Sequence, residues 1–195
     1  MSYLDLTGSY DADEHKIKKG RHAITQELSE LLGQYLNPHH DPRIYIAKEV
    51  SINFGHEKVI LKEEKPDINT ENWGRVDYMQ FKPVNNSVSG IEKGDFYCYE
   101  IKSCVDDLMS GYGRNFFGDY NYFVMPKDVW EEKKELLTSL FGIGVLIPEG
   151  DRLTIVQKAR RMDRKYPASF LLLMMFRSAN RENIKYSRKN MIDRK

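Results

Sequence analysis

Apolar residues recur at helical spacing early in the chain. In "AITQELSELLGQYL", Ile24, Leu28, Leu31, Leu32, Tyr35 and Leu36 fall at i, i+4, i+7, i+8, i+11 and i+12, one face of an amphipathic helix. After the break "NPHHDP", the period changes. "RIYIAKEVSI" and "EKVILKE" are short, β-branched and aromatic, and they predict two neighbouring strands or a hairpin across "NFGH". "GRVDYMQF" predicts another strand, "VNNSVSGIEKGD" a polar loop, and "FYCYEIKS" a strand again. Further on, "DDLMSGYGRNFFGD", Gly-rich and aromatic, reads as a short helix and loop, and "YNYFVMP" as a strand stopped by Pro126. "DVWEEKKELLTSLFG" places Val129, Trp130, Leu136, Leu137, Leu140 and Phe141 on one helical face, with Asp128 as N-cap and Gly142 in the C-terminal position. "GVLIPEGDRLTIVQKA" predicts two strands joined at Pro-Glu-Gly-Asp, and everything after it reads as helical. The order predicts an α/β fold, a central mixed β-sheet flanked by helices. One domain over residues 16–180 is expected, between a flexible start at 1–15 and a basic tail at 181–195.

Composition fits a globular chain, with 41% hydrophobic and 12% aromatic residues in 195. The longest apolar run, "ASFLLLMMF", is far short of the roughly 20 residues that span a bilayer and reads as a buried helix. No secretion signal opens the chain, and Cys98 and Cys104 are poorly spaced for a bridge, so a reduced, cytoplasmic protein without membrane contact is expected. The net charge of +1 conceals a segregation: residues 157–195 hold 12 Lys and Arg against 3 Asp and Glu, which leaves 18 against 26 in the remainder. A basic end beside an acidic body suits a nucleic-acid binder with a metal site, although a solvated helical tail is the plainer account of this feature alone.

The acidic body holds the candidate chemistry. Alternation puts Phe96, Cys98, Glu100 and Lys102 on one face of their strand, and Tyr97, Tyr99 and Ile101 on the other. Glu100 and Lys102 therefore point the same way, about 7 Å apart at the backbone. Asp77 is the lone acid of "GRVDYMQF", and if the strands are neighbours its carboxylate converges on Glu100. Mg²⁺ would reconcile these charges, since it takes oxygen ligands and is held by one or two carboxylates with substrate phosphate. The plainer account is an edge strand whose Glu and Lys pair in solvent, worth at most about 1 kcal/mol.

"GRVDY" followed by "CYEIK" resembles the Asp, then Glu-x-Lys, signature of the PD-(D/E)XK nuclease superfamily. From "EIKSCVDDLMSG" through "DYNYFVMP" to "GIGVLIPEGDRLTIVQKARR", the chain is similar to the MmcB-like DNA-repair branch, over about residues 44–161. The resemblance implies a restriction-endonuclease-like core in which Asp77 and Glu100 hold Mg²⁺ or Mn²⁺, the carbonyl of Ile101 is a further ligand, and Lys102 positions the attacking water. A glutamate on the first helix joins such sites in many members, and Glu27, at the margin of the apolar stripe, is the candidate. Val76 stands where the fullest motif has proline.

Arg114 in "SGYGRN" could touch phosphate, or the segment is a simple turn; Arg160 and Arg161 are the candidate backbone contacts in the basic segment. Tyr112, Phe116 and Phe117 could stack on bases, although core packing is the simpler account. His39, His40 and Asp41 read as a polar loop, and Glu49 faces either the cleft or solvent. The expected function is a metal-dependent deoxyribonuclease of repair, restriction or mobile-element processing, with DNA as partner and a homodimer for duplex cleavage. The alternatives are a non-catalytic nucleic-acid- or protein-binding module of the same fold, and a small interaction protein of another fold.

Overall fold

The computed structural model describes residues 20–52, 74–113 and 116–192. The predicted strand "EKVILKE", Arg114 and the start of the chain lie outside them. Eleven elements follow in order: α1 (Arg21–Leu36), β1 (Tyr45–Ile52), β2 (Gly74–Lys82), α2 (Val88–Glu92), β3 (Asp95–Ile101), α3 (Val105–Met109), β4 (Tyr120–Val124), α4 (Lys127–Ser139), β5 (Ile143–Glu149), β6 (Arg152–Gln157) and α5 (Ala168–Ile192). The strands form one sheet in the order β1-β2-β3-β4-β5-β6. β1, β2 and β3 pair antiparallel, β3, β4 and β5 parallel, and β6 returns antiparallel on β5. The parallel pairs need crossovers, which α3 and α4 supply. This is the α/β architecture that the periodicities predict.

Alternation along the central strands sorts the core into two faces. On one, Phe96 and Cys98 of β3 pack with Met79 and Phe81 under Leu171, Met174 and Met175 of α5. Phe123 and Val145 continue that face under Val129, Trp130 and Leu137 of α4. On the other, Tyr78, Tyr99, Ile101 and Leu146 meet Leu28, Leu32 and Leu36 of α1, three residues at i, i+4 and i+8. Burying each of these large side chains contributes about 1.5–3 kcal/mol. Glu100, paired in register with Phe123 and two residues beyond Cys98, sits at the seam between the α5 and α4 clusters.

Several sequence expectations change. The polar loop contains α2, started by Ser87, whose Oγ accepts the Gly90 N–H at 3.0 Å. Residues 158–167 are not helical, and α5 begins only at Ala168, after Pro167. In α4 the N-cap is Pro126, not Asp128, and Leu136 and Phe141 are exposed. Lys133 has non-helical angles (φ −112°, ψ 16°), so the kink breaks the single apolar face assumed from spacing. The "ASFLLLMMF" run is amphipathic: Leu171, Met174 and Met175 are buried while Leu173 and Phe176 are exposed. The helix runs on through the basic tail to Ile192. No helix among the described residues is long and apolar enough to cross a membrane.

Candidate functional site

Strand register brings the predicted acids together. β1 pairs Lys48 with Tyr78 and Val50 with Val76, which sets Glu49 opposite Asp77; the β2–β3 ladder ends at Tyr78 and Tyr99, and its next step sets Asp77 beside Glu100. Glu49, Asp77 and Glu100 thus form a row across three neighbouring strands, about 4.8 Å apart from strand to strand. Beyond the last pair, Asp77 replaces the missing ladder partner: its Oδ2 accepts the Ile101 N–H at 2.9 Å. In an extended strand a residue's N–H and carbonyl leave on the same side, so the Ile101 carbonyl also faces β2 and Asp77.

The row is driest at its inner end, since Glu100 is buried while Asp77 and Glu49 are half-buried. Glu100 is 8% exposed, and among the described residues its carboxylate has neither a hydrogen bond nor an ion pair. Burial pushes its pKa up to about 9, with the Asp77 carboxylate adding to the shift; Lys102 and Arg75 oppose it, and Glu49 adds to it. Burial also raises the Asp77 pKa, against the Ile101 N–H, while Glu49 adds to the rise. Glu49 is turned toward Arg75, with which it forms an ion pair at 2.7 Å. Its backbone is left-handed (φ 52°), and its carbonyl accepts from Ser178 and Arg181 of α5. This local distortion of the edge strand could not be read from "AKEVS".

Lys102, 3% exposed, donates from Nζ to the Tyr112 carbonyl at 2.6 Å. That bond ties the loop after α3 onto the end of β3. Gly113 (φ 70°) lies so close that a Cβ there would come 2.6 Å from Glu100 Oε2 and 3.1 Å from Lys102 Nζ. The left-handed backbone favours glycine, and a side chain there would displace the tips of Glu100 and Lys102. Glu100 and Lys102 therefore border the same small volume, as alternation predicts. Ser103 closes the strand end by donating its N–H to Asp107 at 3.1 Å, and Asp107 pairs with Arg21 of α1 at 2.9 Å.

Other predicted residues fall elsewhere. Glu27 is exposed on α1, and the main charges acting on Glu100 belong instead to Asp77, Lys102, Arg75 and Glu49. Arg161 pairs with Asp95 and Asp119 at 3.2 and 3.1 Å, at the start of β3 and about 17 Å of strand from Glu100. Arg160 lies over the Phe141 ring at 5.6 Å. Neither arginine is placed beside the acids. Phe117 is buried and Phe116 meets Phe123 edge-on, so both serve packing, whereas Tyr112 is 80% exposed. Asp41 accepts from Arg43, as a polar loop predicts. Spacing did not single out Arg75 as a charge on the site, although its two-residue offset from Asp77 carried that signal.

Two carboxylates and a carbonyl with a nearby ammonium fit a hard divalent cation, because Mg²⁺ keeps several waters and needs only one or two protein carboxylates. The buried, unpaired Glu100 carboxylate is the observation that fits it. Among the described residues no group of three or more His, Cys, Asp or Glu side chains could enclose a metal by itself.

No family model matches the chain, and no curated protein matches it. Among solved structures, a protein of unknown function from Silicibacter pomeroyi is similar, with a TM-score of 0.53 at 16% identity over 84% of this chain and 88% of that one. The likeness is one of fold.

Proposed function

We propose that the chain is a Mg²⁺- or Mn²⁺-dependent nuclease that hydrolyses DNA phosphodiester bonds, in repair, restriction or mobile-element processing. The observation that carries this reading is the pair Asp77 and Glu100, facing each other on adjacent strands with Lys102 beside them and too little positive charge to balance them. The PD-(D/E)XK resemblance of the same three residues supports it. When bound, the metal neutralises phosphate and makes a water more acidic. Asp77, Glu100 and the Ile101 carbonyl would hold it.

Lys102 has the remaining role. Its ammonium is fixed by the Tyr112 carbonyl, which leaves two further donors to orient the attacking water and a phosphoryl oxygen. The water gives up a proton to bulk solvent as its oxygen forms a bond to phosphorus and the opposite ester P–O bond breaks, and the leaving oxygen takes up a proton from solvent. Tyr112 offers an exposed ring next to the site for a flanking base.

For the DNA backbone, α5 replaces Arg160 and Arg161. Arg177, Arg181 and Lys185 recur at i, i+4 and i+8 and, with Arg188, line one shallow depression. Arg181 also reaches the Glu49 carbonyl, so the ridge starts beside the carboxylate row. Cleavage of both strands would bring two copies together.

The test is incubation of supercoiled, linear and single-stranded DNA with Mg²⁺ or Mn²⁺. Cleavage that EDTA stops and that Lys102→Ala reduces at least about 100-fold is expected. Equal cleavage by Lys102→Ala would overturn the assignment. Salt-sensitive binding with no cleavage under any metal would favour the non-catalytic module.

A further inference from the structure

On the sheet face opposite Glu100, a cavity of about 260 Å³ opens where α1 ends. Tyr35 closes it from the last turn of α1, Tyr97 and Tyr99 of β3 and Tyr122 of β4 form a wall, and Gln80 and Lys82 of β2 complete the polar lining. None of these residues belongs to the carboxylate row.

The lining has a specific chemistry. Parallel pairing stacks Tyr97 on Tyr120 (centroids 4.6 Å, 13°) and Tyr99 on Tyr122 (5.4 Å, 15°), so the wall is a fixed aromatic platform. The Lys82 ammonium lies 4.2 Å from the Tyr97 ring centre. Gln80 is 4% exposed, and among the described residues its side-chain amide forms no hydrogen bond. The amide lines the cavity and meets its solvent, so its donors and acceptor are available to a ligand. Burial raises the pKa of Tyr35, Tyr97 and Tyr122, which keeps their hydroxyls neutral donors.

We propose that this cavity binds a nucleoside monophosphate, with adenine the best-matched base. A planar base takes the face of Tyr97 that Lys82 covers here, and the flexible ammonium turns to the phosphate. The Gln80 amide, with one acceptor and two donors, matches the N6 and N7 edge of adenine in a bidentate pair. The volume of about 260 Å³ lies just under the roughly 300 Å³ at which sites for drug-sized ligands begin, so the cavity takes the base and sugar with the phosphate at its open mouth, and it is too small for a dinucleotide. This site does not rest on the nuclease reading.

Calorimetric titration of the full chain without divalent metal tests it, using AMP, CMP, adenosine and ribose 5-phosphate. Saturable AMP binding is expected, with adenosine, CMP and ribose 5-phosphate each weaker by about tenfold or more. Lys82→Ala should weaken AMP about tenfold and leave adenosine unchanged, and Lys102→Ala should bind AMP as the wild type does. Gln80→Leu should abolish the preference for AMP over CMP; if that variant does not fold, the wild-type AMP to CMP ratio reads the same contact. Absence of saturable AMP binding at millimolar concentration would overturn the proposal. So would ribose 5-phosphate binding as tightly as AMP, or Lys102→Ala losing as much affinity as Lys82→Ala.

Discussion

The two ends of β3 each bury an acid, and they treat it in opposite ways. At the start of the strand, Asp119 is 1% exposed; its Oδ2 accepts the Phe96 N–H at 2.8 Å, and Arg161 and Arg164 lie at 3.1 and 3.5 Å. Arg164 is itself anchored on the Gly94 and Glu92 carbonyls. Asp95, Asp119, Arg161 and Arg164 all have fixed partners there. At the other end, Glu100 is almost as buried, has no such partner, and has Asp77 for a neighbour. A buried charge is tolerated when it is paired and hydrogen-bonded. The first end is therefore scaffold, and the second is the end at which we propose a cation and a substrate bind.

That contrast fails if the Asp119 end proves dispensable. Asp119→Ala removes the acceptor of the buried Phe96 N–H and one partner of each arginine, while Arg161 keeps Asp95 and Arg164 keeps the Gly94 and Glu92 carbonyls, so a loss of about 1–3 kcal/mol is expected in urea denaturation. The variant's divalent-metal affinity, measured below its unfolding transition, should stay at the wild-type value.

The Glu100 end makes the opposite kind of claim, a dependence on pH. A carboxyl held at about 9 in the fold and near 4.5 in the unfolded chain binds its proton more tightly when folded. Its stabilising contribution is complete below about pH 4.5 and is lost as pH rises toward 9. The metal-free protein should lose a few kcal/mol over that window, Mg²⁺ should restore more at pH 8 than at pH 5, and Glu100→Gln should flatten the profile. Thermal melts across pH check all three. A metal-free profile identical in wild type and Glu100→Gln would remove the distinction between the two ends.

The smallest effect concerns DNA. Arg177→Ala with Lys185→Ala should lower duplex affinity about tenfold at low salt and reduce the salt slope by roughly 2, whereas Arg161→Ala, at the scaffold end, should leave both unchanged. Fluorescence anisotropy over a salt series separates these outcomes.

Much of the Glu100 end was legible in the chain because it depends on local rules. Alternation over residues 96–102 put Glu100 and Lys102 on one face, and two apolar strands with one acid each were enough to place Asp77 nearby. The Asp119 end was not legible, because its partners are 42 and 45 residues away and nothing in "GDYNY" or "KARRMDR" announces that they meet. Arg161 consequently read as a candidate DNA contact. The left-handed Glu49 was hidden for a similar reason: its carbonyl is drawn off by Ser178 and Arg181, about 130 residues downstream. Elements with regular periods were found, while the kink in α4 and the coil before α5 depend on angles that a period does not encode.

The central claim is that Asp77 and Glu100 hold one divalent ion, and Mn²⁺ binding followed by electron paramagnetic resonance tests it most directly. The wild-type chain should show a saturable Mn²⁺ site near pH 8 that Mg²⁺ displaces, that Asp77→Asn and Glu100→Gln each weaken at least about tenfold, and that Arg161→Ala leaves intact. Wild-type Mn²⁺ affinity in both carboxylate variants would contradict it.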